Sequence, residues 1–405
     1  MSSITPGWQR LPQSRALART LTSLAHGGIF IFGVVMALVG AIVPALHGRV
    51  SITLGEIGTL FLVMNFGMLM ASLVAGLVVD RVGLKAPLAL GAALVGCGLL
   101  IIASAQTFVS MLVAVICVGF GGGALNAVTN TLVADLHEDE KGKAAALNML
   151  GVFFGFGALL MPFSVGMLTA RFGISPLLVA GAVLCLAVAS VATGLAFPAP
   201  KQLQGWPLAK MPRFLRMPTV RALAFLLFFE SGNEFMLGGY ISTFLTRELH
   251  LTLPRASYTL AAFWGAIMIA RFVLSRTLQR GDARTIVLAG AVGSAVGALI
   301  ISFAPSGTLA TLGIVLTGLA LAGVFPSVLG FAGARFSEHS GTVFGILFTI
   351  ALCGGMTIPW AAGWLAEAFG LRWVFVFAAV NFAAVGGLML GAGANLPQAR
   401  YVKGP

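Results

Sequence analysis

The chain has 405 residues, of which 59% are hydrophobic and only 9% charged, with a mean hydropathy of +1.01. A soluble globular chain carries about 25% charged residues, so this composition excludes a soluble domain and indicates an integral membrane protein. The formal net charge of +12 would suggest nucleic acid in a soluble protein, but here the positions of the charges make it a signal of topology.

Apolar runs of about 20 residues, rather than alternating decamers, predict membrane helices and not barrel strands. Twelve spans follow, at residues 21–46, 57–79, 86–105, 108–134, 144–168, 175–197, 221–245, 257–279, 285–304, 308–332, 342–366 and 373–394. With both termini cytoplasmic, eighteen of the 24 Lys and Arg fall in inside segments. Five lie outside (Arg49, Arg171, Arg247, Arg255 and Arg372), and Arg271 lies within a span. That asymmetry sets the orientation of a multi-pass membrane protein, whose expected location is the bacterial inner membrane. The polar start, Met1 to Arg19, shows no cleavable signal pattern, so span one is expected to remain in the mature protein.

Span one holds His26, read as a packing or interfacial residue, and ends in Val39-Gly-Ala-Ile-Val-Pro44 with no carboxylate. Span two closes on Gly76-Leu-Val-Val-Asp80-Arg81-Val-Gly83-Leu-Lys85, where the glycines permit a tight turn and Asp80 can accept from backbone or basic groups. Span four carries a glycine cluster from Gly119, suited to close helix packing, then Asn126 and Asn130 on one helical face. Asn148 opens span five, followed by Phe153 and Phe154. Amides in a helix bundle serve either as ligand contacts or as helix–helix glue, and both readings stand for these three. Cys97, Cys117, Cys185 and Cys353 all fall in apolar spans without paired or ligand spacing, so neither a disulfide framework nor a metal or other cofactor is implied.

The one long polar break, Pro198 to Pro218, divides the chain into two six-helix halves, 1–197 and 221–405, joined by a cytoplasmic linker at 198–220. Similarity between the halves supports the division. Gly157-x4-Pro162-x3-Gly166-x-Leu168 recurs as Gly354-x4-Pro359-x3-Gly363-x-Leu365, and Phe172-Gly173 recurs as Phe369-Gly370 at the same offset. Two parallel repeats about a central loop are the plan of alternating-access carriers.

Span seven contains the most informative stretch, Glu230-Ser-Gly-Asn-Glu234. A carboxylate at membrane depth is expensive unless it faces a cavity or a partner, and of the twelve acidic residues only Glu230 and Glu234 lie that deep. They are the carboxylates available for proton coupling. Arg271 in span eight is the available counter-charge. Counting residues from the cytoplasmic ends puts it level with Glu230, so a structural Glu230–Arg271 pair is expected, with Glu234 left for proton or substrate chemistry. Tyr240, Trp264 and Trp360 offer aromatic faces to a substrate, while Trp364 and Trp373 suit an interfacial belt.

The span-two signature resembles the loop 2–3 motif of the major facilitator superfamily, Gly-x-x-x-Asp-Arg-x-Gly-x-Lys. The resemblance implies an all-α membrane fold of twelve helices and a conformational latch at Gly76, Asp80, Arg81, Gly83 and Lys85. The run from Glu230 to Tyr240 resembles the Tyr-x-Gly-x-Glu-x-x-x-Gly-Gly-Trp pattern of the fucose, galactose and glucose:proton symporters and of sodium-dependent glucose transporter 1-like proteins. Phe263-Trp264-Gly265 with Arg271-Phe272, Phe325-Pro326-Ser327 and Gly354-Gly-Met-Thr-Ile-Pro359 fit the same branch. On that resemblance Glu234, Arg271 and Asn130 fall on the branch's functional positions. The chain departs from it where Asn126 replaces an acid, Glu230 an aromatic and Ala270 a glycine. The implied activity is secondary active transport of a small-molecule substrate coupled to an ion, proton or sodium, by a monomer in the lipid bilayer, with no nucleic acid and no enzymatic step. Proton-linked uptake of a sugar or similar polar metabolite is the leading expectation. Proton-coupled export of drugs or metabolites, and uncoupled facilitation, remain open.

Overall fold

An apolar segment in lipid must satisfy every backbone polar group within itself, which leaves the helix as the local solution for runs of this length. The computed structural model describes residues 15–137, 139–198, 211–277 and 282–393, and among them helices are the only regular structure. The first unit holds α1 (Arg15–Ile42), most of α2 (Leu54–Val82), α3 (Lys85–Ser104), α4 (Phe108–Leu136), α5 (Glu140–Phe172) and α6 (Ile174–Gly194). The second holds the short α7 (Met211–Leu215), then α8 (Pro218–Arg247), α9 (Leu253–Thr277), α10 (Ala283–Phe303), α11 (Gly307–Leu321), α12 (Val324–Arg335), α13 (Ser340–Phe369) and α14 (Arg372–Gly393).

Among the described residues, eleven helical stretches are long and apolar enough to cross a membrane, α11 and α12 counting as one. The twelfth span is α8, 30 residues long, whose polar stretch from Glu230 to Glu234 dilutes its apolar character. The chain is thus a twelve-span all-α membrane protein.

The two compact units comprise 1–52 with 63–206, and 53–62 with 207–405, so the first turns of α2 pack with the second unit. Most of the 198–220 linker expected from sequence lies outside the described residues, as do the charged termini.

Within each unit the repeated sequence does the same structural work. Lipid offers little hydrophobic drive for helix association, so close backbone approach supplies the packing. Gly157 on α5 sits against the carbonyl of Phe30 on α1, and Gly354 on α13 sits against the carbonyl of Phe228 on α8, with no room for a Cβ at either. Pro162 and Pro359 lie inside α5 and α13. Gly173 and Gly370 end those helices at φ +75° and +97°, a left-handed geometry that favours glycine. The span-four glycines pack equally tightly, Gly119 and Gly123 against α2 backbone at Met64 and Met68 and Gly121 against Gly91.

Two of the arginines outside the positive-inside pattern have structural partners. Arg49 donates to the carbonyls of Ile102 (2.6 Å) and Ala103 (3.1 Å) at the end of α3, and to Ser175 Oγ (2.6 Å) on α6. Arg372 donates to Ser302 O (2.7 Å) and Ala304 O (3.0 Å) at the end of α10, and pairs with Glu248 at 3.0 Å. A cation on the unsatisfied carbonyls of a helix C-terminus also meets the negative end of the helix dipole.

Candidate functional site

The site is built on α8 and α9 in the second unit. Arg271 on α9 points its Nη2 between the two oxygens of Glu234 on α8, at 3.3 and 3.2 Å. Glu234 is buried, and the arginine side chain is 31% exposed, so water still reaches one partner. The arginine has a second anchor. Its Nε donates at 3.4 Å to the carbonyl of Ala322, in the break between α11 and α12. In a continuous helix that carbonyl would accept from residue 326, but residue 326 is a proline and has no N–H. The span expected to run unbroken from 308 to 332 is therefore two helices, and the carbonyl released by Pro326 is used by Arg271. Broken helices that free backbone groups for a charged partner recur at the binding sites of carriers.

The expected Glu230–Arg271 pair is not formed, and the reason is side-chain direction. Gly238 lies against the Trp264 ring, where a Cβ would stand 3.0 Å from Cζ2. Stepping seven residues along each antiparallel helix brings Arg271 level with residue 231. Counting alone therefore favours Glu230. Side chains on a helix tilt toward its N-terminus, however, so Arg271 leans back along α9 while Glu234 leans back along α8, and the two meet. Glu230 leans away. It is fully buried, and neither carboxyl oxygen has a hydrogen-bond partner. One turn along, Asn233 accepts from Asn381 Nδ2 at 3.1 Å and donates to Ala378 O at 3.4 Å, joining α8 to α14. The lone amide in the apolar run of span twelve was the signal for Asn381, and sequence reasoning passed over it.

The aromatic expectations divide. Tyr240 is fully buried, its hydroxyl directed to the carbonyls of Leu54 (3.1 Å) and Pro359 (3.2 Å). Trp264 is 2% exposed and stands edge-on to Phe263. Neither presents a face for stacking, which corrects their reading as substrate contacts, because the second unit uses them as core. Trp360 is 40% exposed and Trp364 and Trp373 are exposed as well. Close to Tyr240, Glu367 accepts from the amide of Gly55 at 3.0 Å. Thr53 and Glu56 cap the same helix start reciprocally.

In the first unit Asn126 is half-buried and Asn130 exposed, the latter donating to the Asn126 carbonyl at 2.8 Å. Asn148 is exposed on α5. His26 stacks on Phe153 at 4.3 Å, and Phe154 tilts against Phe32, so these aromatics join α1 to α5. Of the span-two motif, Gly83 takes φ +76° and donates to Val79 O at 2.9 Å, which turns the chain into α3. Arg81 is exposed and Lys85 half-buried, while the surroundings of Gly76 and Asp80 lie outside what the structure describes.

Twelve membrane helices in two compact units, one holding an ion pair at a broken helix, define a multi-pass membrane protein. The Major Facilitator Superfamily model matches residues 25–219 and 223–398, and the chain belongs to that superfamily. It is a transporter of small molecules, not an enzyme. An uncharacterised MFS-type transporter of Yersinia pestis is 26% identical over 358 residues, 85% of this chain and 89% of the relative. A glucose/galactose transporter of Brucella abortus is 28% identical over 160 residues, 39% of this chain and 38% of that protein. The fosmidomycin resistance protein of Escherichia coli is 23% identical over 85% of this chain and 88% of its own length. Among solved structures, a D-xylose-proton symporter superposes with a TM-score of 0.77 at 14% identity, over 95% of this chain and 99% of that one. That likeness shows the fold.

Proposed function

We propose that the chain is a proton-coupled secondary carrier that takes up a sugar or similar small polar metabolite. It would lie in the bacterial inner membrane as a monomer with both termini cytoplasmic, working by alternating access. The observation that carries this reading is the Glu234–Arg271 pair, its carboxylate buried and its arginine half-buried, anchored on the carbonyl that Pro326 releases. A buried charge pair adds little stability over an apolar packing of similar volume, so its place in a transport protein argues for use in the cycle. Protonation of a carboxyl in this site would neutralise the unit and favour the loaded carrier's change of state, since a ligand shifts conformations only through differential binding. Asn126, Asn130, Asn148 and Trp360 are the polar and aromatic side chains left with exposed or half-exposed surface for substrate. The similarity to the Brucella glucose/galactose transporter supports the sugar class.

The second reading is proton-driven export, favoured by the similarity to the fosmidomycin resistance protein over most of the chain. Labelled D-glucose and D-galactose uptake into proteoliposomes, with and without an inward proton gradient, separates the readings. Uptake reading: accumulation against the sugar gradient when the outside is acidic, lost in Glu234→Gln. Equilibration that ignores the proton gradient would mean a facilitator. Indifference to both sugars alongside proton-driven efflux of a drug would establish the exporter.

A further inference from the structure

Glu230 is the buried ionisable group that the ion pair leaves unexplained. It is sealed on every side. Gly232, two residues on, is packed against Ile358 and the carbonyl of Gly354 on α13. Asn233 is tied to Ala378 and Asn381 on α14. On the preceding turns Leu223 and Leu227 join Val324 and Val328 of α12 in one apolar cluster. None of these packed faces brings a titratable side chain except Cys353, a half-buried thiol beside Gly354, and α11 has none in its sequence. The charged groups whose fields reach Glu230 are Glu234 and Arg271. A carboxylate buried without hydrogen bonds is a costly species, whereas the neutral acid is tolerated.

We propose that Glu230 and Glu234 share Arg271 as a single counter-ion, and that the transported proton resides on whichever carboxyl the guanidinium does not hold, which in this conformation is Glu230. The proposal rests on the proton-coupled reading and assigns its proton site. The geometry suits an exchange. The two carboxyls lie one turn apart on α8, about 6 Å along its axis, and Arg271 now holds the one toward which its side chain leans. Its Nε is held by Ala322 O, and a swing of the guanidinium of about one helical turn along α8 is what the exchange requires. The proton balance closes. The unloaded site holds two carboxylates and one guanidinium. Binding a proton from water at a carboxylate oxygen gives one neutral acid, one carboxylate and one guanidinium, and the proton's return to water leaves its electron pair on that oxygen.

Infrared difference spectra of the full-length protein in lipid, recorded in H2O against D2O at neutral pH, read the carbonyl stretch of a protonated carboxyl without substrate or gradient. The wild type should show one such band. Glu230→Gln should abolish it. Glu234→Gln should abolish it too, because Arg271 then moves to Glu230 and ionises it. Arg271→Met should raise the band up to twofold. No wild-type band, a band surviving Glu230→Gln, or a band of full height in Glu234→Gln overturns the proposal, and the last two spectra decide independently of one another. If the bands behave as expected while sugar uptake ignores the proton gradient, the transport reading falls and the proton site stands. Should gradient-driven accumulation persist undiminished in Glu230→Gln, the site falls and the transport reading stands.

Discussion

Replacing Arg271 by Met removes the charge and keeps most of the side-chain volume, which leaves Glu234 buried with no counter-ion. Breaking one side of a buried pair costs about 3–5 kcal/mol, because the carboxyl left behind must either stay charged without compensation or take up a proton. The arginine side chain is 31% exposed and that of Glu234 only 9%, so some water reaches the site and the low end, about 3 kcal/mol, is expected. Neutralising both partners, Glu234→Gln with Arg271→Met, removes the uncompensated charge and should return stability to within about 1 kcal/mol of wild type, a coupling of the size that contacting residues show. Equilibrium unfolding by SDS titration in mixed micelles, followed by tryptophan fluorescence, measures both, and the buried Trp264 lies on the same helix as a reporter. The reasoning is refuted if Arg271→Met unfolds within about 0.5 kcal/mol of wild type, or if the double variant loses the sum of the two single losses.

Tyr240→Phe removes one hydroxyl that serves backbone carbonyls in a buried place, so it should cost about 1 kcal/mol of stability and leave the half-saturating sugar concentration within about twofold; a large rise in that concentration would restore Tyr240 to the substrate site. Gly354→Val should overpack the α8–α13 crossing at the Phe228 carbonyl and Gly157→Val the α1–α5 crossing at Phe30, each by about 1–3 kcal/mol or more. Size-exclusion chromatography after mild heating should show less folded protein for both, and a wild-type profile would contradict the close approach. Asn381→Ala strands one side of the Asn233 amide and should cost about 1–2 kcal/mol in the same SDS titration, whereas an unchanged midpoint would make that bond dispensable.

Span number, repeat and family were legible because the signals are local and redundant. Pro162 with Pro359 and Gly173 with Gly370 recur in constant register, and each pair takes up matching positions in its unit. The polar stretch on α8 was legible too, since carboxylates stand out in an apolar run. What the sequence left unread lay in side-chain direction and in backbone groups. Depth counting paired Arg271 with Glu230 because it ignored the N-terminal lean of helical side chains. The role of Pro326 was hidden because its effect falls four residues earlier, at Ala322, on a carbonyl that no residue type reveals. Tyr240 and Trp264 were read as open faces because aromatic residues in a span look alike whether they are core or lining.

The central claim, that transport is coupled to a proton through the α8 carboxyls, is tested most directly by watching the proton itself. Proteoliposomes in weakly buffered medium with an external pH-sensitive dye, given a sudden addition of D-galactose or D-glucose, should show the medium turn alkaline as sugar and proton enter together. The signal should vanish in Glu230→Gln liposomes. Labelled sugar entering wild-type liposomes with no change in external pH would contradict the account.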